Sequence, residues 1–157
     1  MRSAARRWLA VGAVVASAAM VAACSDDVSS CDEDIRAQVL DERVDLSVGD
    51  ATFAAELADS DTERARGWRH RLCEREAILL VGDGGPMPIW MCEVPDALDL
   101  VFVHEGAVVA VEPAAPPCSP PCDACPRYGE GIDVDAVIEW PAGRFDAAVG
   151  DTVRGLP

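Results

Sequence analysis

The segment CSPPCDACP, residues 118–126, holds three cysteines whose thiols could do chemistry in more than one way. Cys122 and Cys125 form a C-x-x-C motif, which in thiol oxidoreductases lies at the start of a helix that lowers the thiol pKa. Together with Cys118 they could also supply three ligands to a zinc ion that takes a fourth from elsewhere. The third possibility is that all three cysteines form structural disulfides.

The residues around these cysteines favour disulfides over the other two uses. Pro121 precedes Cys122, Pro126 follows Cys125, and no helical pattern continues after them. An acidic neighbour such as Asp123 raises a thiol pKa instead of lowering it. The paired C-x-x-C knuckles of strong zinc sites are missing from the sequence. We therefore expect neither a metal nor another cofactor here.

The N-terminus resembles a bacterial export signal. Three arginines precede an apolar run of 16 residues, 8–23, which is shorter than the roughly 20 residues needed to span a bilayer. The run ends in Val-Ala-Ala-Cys, which resembles a lipobox, so we expect cleavage before Cys24 and acylation of that cysteine. The expected location is outside the cytoplasm, on a bacterial membrane, facing the periplasm or the cell exterior.

The sequence then divides into three predicted segments. They are a lipoprotein signal peptide (1–23), a lipid-anchored acidic tether (24–42) and a folded domain (43–157). Without the signal peptide the chain has 10 basic and 28 acidic residues, a net charge of −18 compared with −15 for the precursor. Such a charge argues against binding nucleic acid. The expected partners are the membrane, through the lipid on Cys24, and an unknown envelope ligand or protein.

The folded domain is expected to be mainly β. Alternating apolar residues on both sides of Gly49-Asp50 predict a hairpin, and Ser60 with Glu63 has the spacing of a capping box that starts a helix over 61–71. Further predicted strands lie at 77–81, 89–92, 98–103, 108–111, 134–140 and 152–154. Short, evenly spaced strands with one short helix indicate a compact β-sandwich or partly closed barrel.

Residues 44–154 contain a series of distinctive segments, which are ADSDTERARGW, IWM, LDLVFV, VEPAAPPC, CPRYG, VIEWPAGR and VGDTV. In these segments and their order the chain resembles one family, the small extracytoplasmic proteins called domain of unknown function 192 (DUF 192). The resemblance implies a compact β fold with one helix and no established activity. The matching positions are Arg66, Gly67, Arg71, Trp90, Met91, Asp99, Cys118, Cys125, Tyr128 and Glu139.

The chain also departs from the family pattern at two places. Cys92, Glu93 and Val94 stand where the family usually has lysine, asparagine and threonine. Trp68 and Arg69 replace leucine and methionine. If the polar trio binds something in relatives, this protein has lost or altered that contact.

The resemblance suggests disulfide pairs among the six cysteines that follow Cys24, which by themselves allow 15 connectivities. The family has a pair at the positions of Cys118 and Cys125. Cys92 and Cys122 are both unusual in the family, as expected if they bond each other. Cys31 and Cys73 remain by elimination.

The matching positions also include a candidate ligand pocket, formed by Arg66, Arg71, Trp90, Met91, Asp99 and Glu139. An arginine there could recognise a carboxylate or sugar acid, and the aromatic ring could stack on it. The alternative interpretation is structural, with core packing and ion pairs. We favour a ligand- or partner-binding domain that is not an enzyme. A glycan hydrolase using Asp99 and Glu139 is an alternative only if the two carboxyls share a face, and a thiol–disulfide oxidoreductase is less favoured.

Overall fold

The computed structural model describes residues 32–157. The predicted signal peptide, the lipidation site Cys24, the N-terminal part of the tether and Cys31 lie outside the described residues. Within the part that is described, no helix is long and apolar enough to cross a membrane.

The domain begins with the predicted hairpin. Strand β1 (Arg43–Val48) pairs antiparallel with β2 (Ala51–Ala58), and Gly49-Asp50 forms the turn. Gly49 has φ +54°, a left-handed conformation that glycine adopts without steric cost. The strands therefore start where alternation and turn chemistry both predict them.

A crossover segment, residues 59–76, connects β2 to the parallel strand β3 (Ala77–Val81). It contains helix α1 (Asp61–Arg66), which begins with the predicted capping box of Ser60 and Glu63. The helix ends five residues before the predicted end at Arg71. Gly67 has φ +45° and donates its amide to the Glu63 carbonyl, which closes the last turn and redirects the chain.

The remaining strands complete one large sheet and one small ribbon. The large sheet has seven strands in the order β6-β5-β8-β3-β2-β1-β9, and β4 pairs with β7. A 3-10 turn at Cys122–Ala124 and strand β7 were not predicted. The strand bounds are Ile89–Trp90 (β4), Leu98–His104 (β5), Ala107–Ala115 (β6), Arg127–Tyr128 (β7), Ala136–Pro141 (β8) and Val153–Arg154 (β9).

The large sheet curves into a nearly closed barrel. Its outer strands approach each other where Ala107 at the start of β6 bridges to Thr152 beside β9. The predicted fold class, a mainly β, partly closed barrel with one short helix, is therefore confirmed.

Apolar side chains form a core on each face of the sheet. The inner core receives residues from all seven strands and includes Trp140, Phe53 and Leu79. The outer core lies between the other face of the sheet and the connecting segments, and it includes Trp68 and Met91. Because the outer core covers strands β3, β5 and β8, residues of these strands that alternate away from the inner core are still buried.

Residues within 33–42, which belong to the predicted tether, contact the domain. Leu40 belongs to the outer core, and the buried Gln38 side chain donates to the carbonyls of Glu63 (3.1 Å) and Gly67 (2.9 Å). Glu33 accepts from the Leu72 amide. These contacts were not predicted, because the segment as a whole is acidic and has few large apolar residues.

Gly129 provides a test of packing against the outer core. A Cβ atom there would lie 2.2 Å from Cε1 of the buried Phe102 ring, whereas a Cβ at Gly131 would meet no atom within 4 Å. Both glycines have nearly the same φ, +74° and +75°. We expect Gly129→Ala to lower the free energy of unfolding by about 2 kcal/mol more than Gly131→Ala, because overpacking adds to a shared backbone cost. Urea unfolding measures both, and equal losses would contradict this packing.

Candidate functional site

A cavity of about 190 Å³ opens on the outer face of the sheet, between the crossover segment and the strand β4 region. Its walls are mostly apolar, with a carboxyl group at the base and arginines near helix α1. The lining of the cavity includes Arg66, Gly67, Trp68, Leu80, Trp90 and Glu139. An apolar pocket with few polar groups is the usual form of a small-molecule site.

Glu139 forms the base of this cavity. It lies on β8, paired with Ile78 of β3 on one side and Leu100 of β5 on the other. Its residue is only 4% exposed, and its Oε2 atom makes no hydrogen bond with any residue that the structure describes. The carboxylate lies against Gly67, where an added Cβ would be 3.3 Å from Oε2. Gly67 thus leaves room for a carboxyl that the protein does not hydrogen-bond.

Burial raises the pKa of Glu139 to about 7, because the charged form loses its hydration, and the positive charge of Arg71 partly opposes this rise. The group therefore changes protonation near neutral pH. An ordinary glutamate changes its protonation state at a much lower pH.

A second carboxyl, Glu56, lies on the same face of the sheet. Glu56 pairs with Ile78 in β3, and Ile78 pairs with Glu139, so the two acids flank one isoleucine. The Arg71 guanidinium bonds Glu56 and is almost completely buried, and Arg75 contacts the same carboxylate at 3.4 Å. Burial lowers the pKa of Arg71, although the charge of Glu56 opposes that effect. Glu56 is thus neutralised inside the protein, whereas Glu139 is not.

The mouth of the cavity carries three arginines, of which two have acidic partners. Arg64 pairs with Asp61, and Arg69 pairs with Glu93. The guanidinium of the exposed Arg66 makes no hydrogen bond or ion pair with any residue in the described range 32–157. Arg66 is therefore available to an anionic group at the mouth.

The Trp90 wall of the cavity is held in place from behind. Trp90 in β4 pairs with Arg127 in β7, and the Arg127 guanidinium lies 4.5 Å from the centre of the indole ring. Two residues further on, Cys92 is bonded to Cys122, and the Cys118 amide donates to the Met91 carbonyl at 3.0 Å. The cysteine loop therefore braces this wall.

Two disulfides join pairs of described cysteines, Cys92–Cys122 and Cys118–Cys125, and both pairs were predicted from the sequence. The cysteines of the C-x-x-C motif bond other cysteines instead of each other, so the motif is not a dithiol pair. Cys73 is also disulfide-bonded. Its predicted partner Cys31 lies outside the described residues, so that pairing stays a prediction. Cys92, Cys122 and Glu93 lie close enough to hold a metal, but both sulfurs are used in the disulfide.

Asp99 does not belong to this site. Its carboxylate accepts from the amides of Ala114 (2.8 Å) and Gly143 (2.8 Å) and from the Trp140 indole (3.0 Å). Asp99 pairs with Trp140, whose ring lies in the inner core, while Glu139 is one residue away on the strand and faces the outer core. Neighbouring residues on a strand point to opposite faces. The alternative prediction of a glycan hydrolase, which required Asp99 and Glu139 to share a face, is therefore wrong.

The structure brings three of the six candidate pocket residues to the cavity: Arg66, Trp90 and Glu139. Arg71 lies beneath it and acts on Glu139 through its charge, and Met91 is packed in the outer core. The sequence analysis missed the role of Glu56, because alternation with Phe53 and Ala55 placed it on a face expected to be solvated. It noted Trp68 as a departure from the family and did not assign it to the pocket.

These features define a small barrel domain with a mostly apolar cavity beside its crossover segment. The chain belongs to the DUF192 family, described as "Uncharacterized ACR", whose model matches residues 44–155. Comparison with curated proteins found no significant match.

Two solved structures share the fold. One is a protein from Sinorhizobium meliloti 1021, provisionally described as a transcription regulator, with 22% identity, a TM-score of 0.64, and coverage of 75% of this chain and 97% of its own. The other is a protein of unknown function from Novosphingobium aromaticivorans DSM 12444, with 22% identity, a TM-score of 0.63, and coverage of 71% and 84%. At this identity the likeness extends to the fold alone.

Glu139 makes a pH-dependent contribution to stability. Its pKa is raised from the ordinary value of 4.5 to about 7 in the folded protein, so the native state holds a proton that the unfolded chain releases between these pH values. Stability from this group is therefore complete below pH 4.5 and is lost as the pH rises to 7. For a fully buried carboxyl the loss is about 3 kcal/mol.

Glu139→Gln, which mimics the protonated carboxyl, removes this titration. The free energy of unfolding of the wild type relative to E139Q should fall by that amount between pH 4.5 and pH 7 and then level off. Urea denaturation of both proteins across this range measures the difference. Two parallel pH curves would contradict the burial of this group.

Proposed function

We propose that this protein is a non-enzymatic ligand-binding domain, exported and held on a bacterial membrane by a lipid on Cys24. The ligand occupies the cavity between helix α1 and β4. The single observation that carries the proposal is Glu139, a buried carboxyl with an unpartnered oxygen at the base of an apolar cavity. A polar group left without a partner in such a place costs stability, and this cost is offset when a ligand supplies the partner.

The disulfides support an extracytoplasmic location. Disulfides persist in oxidising compartments and are rare where glutathione keeps thiols reduced. The described residues contain two of them, Cys92–Cys122 and Cys118–Cys125. The lipobox-like ending at Cys24 adds a route to the membrane. A lipoprotein carries more than one acyl chain, which anchors a protein stably.

Binding is favoured over catalysis by the absence of a suitable partner for Glu139 within the described part of the chain. Acid–base catalysis on a glycan requires two carboxyls on either side of one bond. Asp99 faces the other side of the sheet, and Glu56 is neutralised by Arg71 and Arg75. One unpaired carboxyl among apolar residues is suited to accept a hydrogen bond from a ligand.

A pocket-blocking variant tests the cavity. Ala65 is exposed and lines the cavity, so Ala65→Trp places a ring in the mouth without changing the core. Thr62 is exposed on the same helix and does not line it, so Thr62→Trp is the matched control. In a small-molecule screen by ligand-observed NMR, compounds that bind the wild type should bind T62W equally and A65W at least tenfold more weakly. The proposal is lost if no compound distinguishes A65W from T62W.

Metabolic labelling tests the anchor. With an alkyne fatty acid in a bacterial host, the wild type and the control Cys31→Ala should be labelled, whereas Cys24→Ala should carry no label because it lacks the acylated thiol. Intact-mass analysis then places the lipid on the N-terminal cysteine. Label that persists in C24A, or an unlabelled wild type, would argue against the lipoprotein assignment.

A further inference from the structure

We infer that the ligand carries a protonated amine on an apolar body, and that its ammonium group binds the carboxylate of Glu139. This inference rests on the proposed function and adds the chemical class of the ligand. Four features of the cavity lead to it: the unpartnered carboxyl, the aromatic walls, the charges that surround Glu139 and the free arginine at the mouth.

The first feature is what Glu139 requires. Its side chain makes no hydrogen bond with any described residue, and its Oε2 atom is buried. Because Glu139 lines the cavity, a ligand there can supply the missing donor. An ammonium group brings several donors and also a charge, and hydrogen bonds between charged groups are about twice as strong as neutral ones. A buried carboxylate gains most from a partner that neutralises it.

The second feature is the aromatic lining. The lining of the cavity includes the buried Trp68 as well as Trp90. Indole faces attract cations, as the contact between Trp90 and Arg127 illustrates in this protein. The other wall residues, including Leu80, Ile89 and Val94, fit an apolar body.

The third feature is the set of charges around Glu139. On this face the neighbouring strands β3 and β5 contribute Ile78, Leu80, Leu98, Leu100 and Phe102, none of which titrates. The crossover segment contributes Arg71 beneath the cavity, already bonded to Glu56, and Arg64 and Arg69 at the mouth, already paired with Asp61 and Glu93. Arg64, Arg69 and Arg71 therefore each have an acid of their own, and the Oε2 atom of Glu139 has no hydrogen-bond partner among the described residues.

The fourth feature, Arg66, divides the amine class in two. A plain amine would leave this guanidinium in solvent, while an apolar amino acid would offer it a carboxylate at the mouth. Both forms share the ammonium group that reaches Glu139. Phenethylamine and phenylalanine represent the two forms, and Arg66→Ala should weaken the binding of phenylalanine and leave that of phenethylamine unchanged, because only phenylalanine carries a carboxylate.

Calorimetry with three matched probes tests the inference. Phenethylamine, 2-phenylethanol and 3-phenylpropionate share one apolar body and end in an ammonium, a hydroxyl and a carboxylate. Phenethylamine should bind the wild type best. Because its amine stays protonated at pH 8 while Glu139 ionises near pH 7, its affinity should rise about tenfold from pH 6 to pH 8. Titrations in two buffers should show close to one proton released per ligand at pH 6 and almost none at pH 8.

Glu139→Gln removes the charge and keeps the shape, and thermal unfolding verifies that the variant is folded. In E139Q, phenethylamine should bind at least tenfold more weakly at pH 8 and without proton release. The inference is overturned if the alcohol or the acid binds as well as the amine, if E139Q binds the amine unchanged, or if the compounds that A65W excludes are not amines. In these cases the cavity still binds a ligand. If no compound at all distinguishes A65W from T62W, the proposed function fails as well.

Discussion

The parallel pairing of β2 with β3 determines most of this structure. Parallel neighbours cannot be joined by a tight turn, so the chain must cross from one end of the sheet to the other before β3 begins. Residues 59–76 make that crossing over the outer face. They bring Trp68 and Arg71 against strands that otherwise pair antiparallel. Without this crossing, Glu139 would face solvent as an ordinary surface glutamate.

The crossing also places acidic side chains in a buried layer, which requires compensation. Glu56 and Glu139 lie on either side of Ile78, and buried carboxylates are costly unless they are paired. Glu56 makes ion pairs with three arginines, which are Arg71, Arg75 and, at the domain surface, Arg43. Their positive charges offset the cost of burying its carboxylate. Glu139 receives only the distant charge of Arg71. The protein thus treats two similar acids in opposite ways.

Much of the fold could be predicted from local patterns, whereas the site could be predicted only in part. The β1–β2 hairpin, β3, β5 and β6 follow from alternation and turns, and the capping box marks the start of α1. Strand β7 could not be predicted because it has only two residues, too few for an alternating pattern, and is defined by its pairing with β4. Asp99 was predicted to act with Glu139 because both residues are acidic. Strand register places them on opposite faces of the sheet, since Asp99 pairs with Trp140, the residue that follows Glu139.

The disulfide between Cys92 and Cys122 joins residues 30 positions apart and closes a covalent ring around the β5–β6 hairpin. The Trp90 side of the cavity is bonded to this ring, while helix α1 opposite is held by hydrogen bonds such as those from Gln38. Lining residues of helix α1 such as Ala65 lie outside this ring, so sequence change there can alter the shape and charge of the cavity mouth while the disulfide-closed strands stay the same.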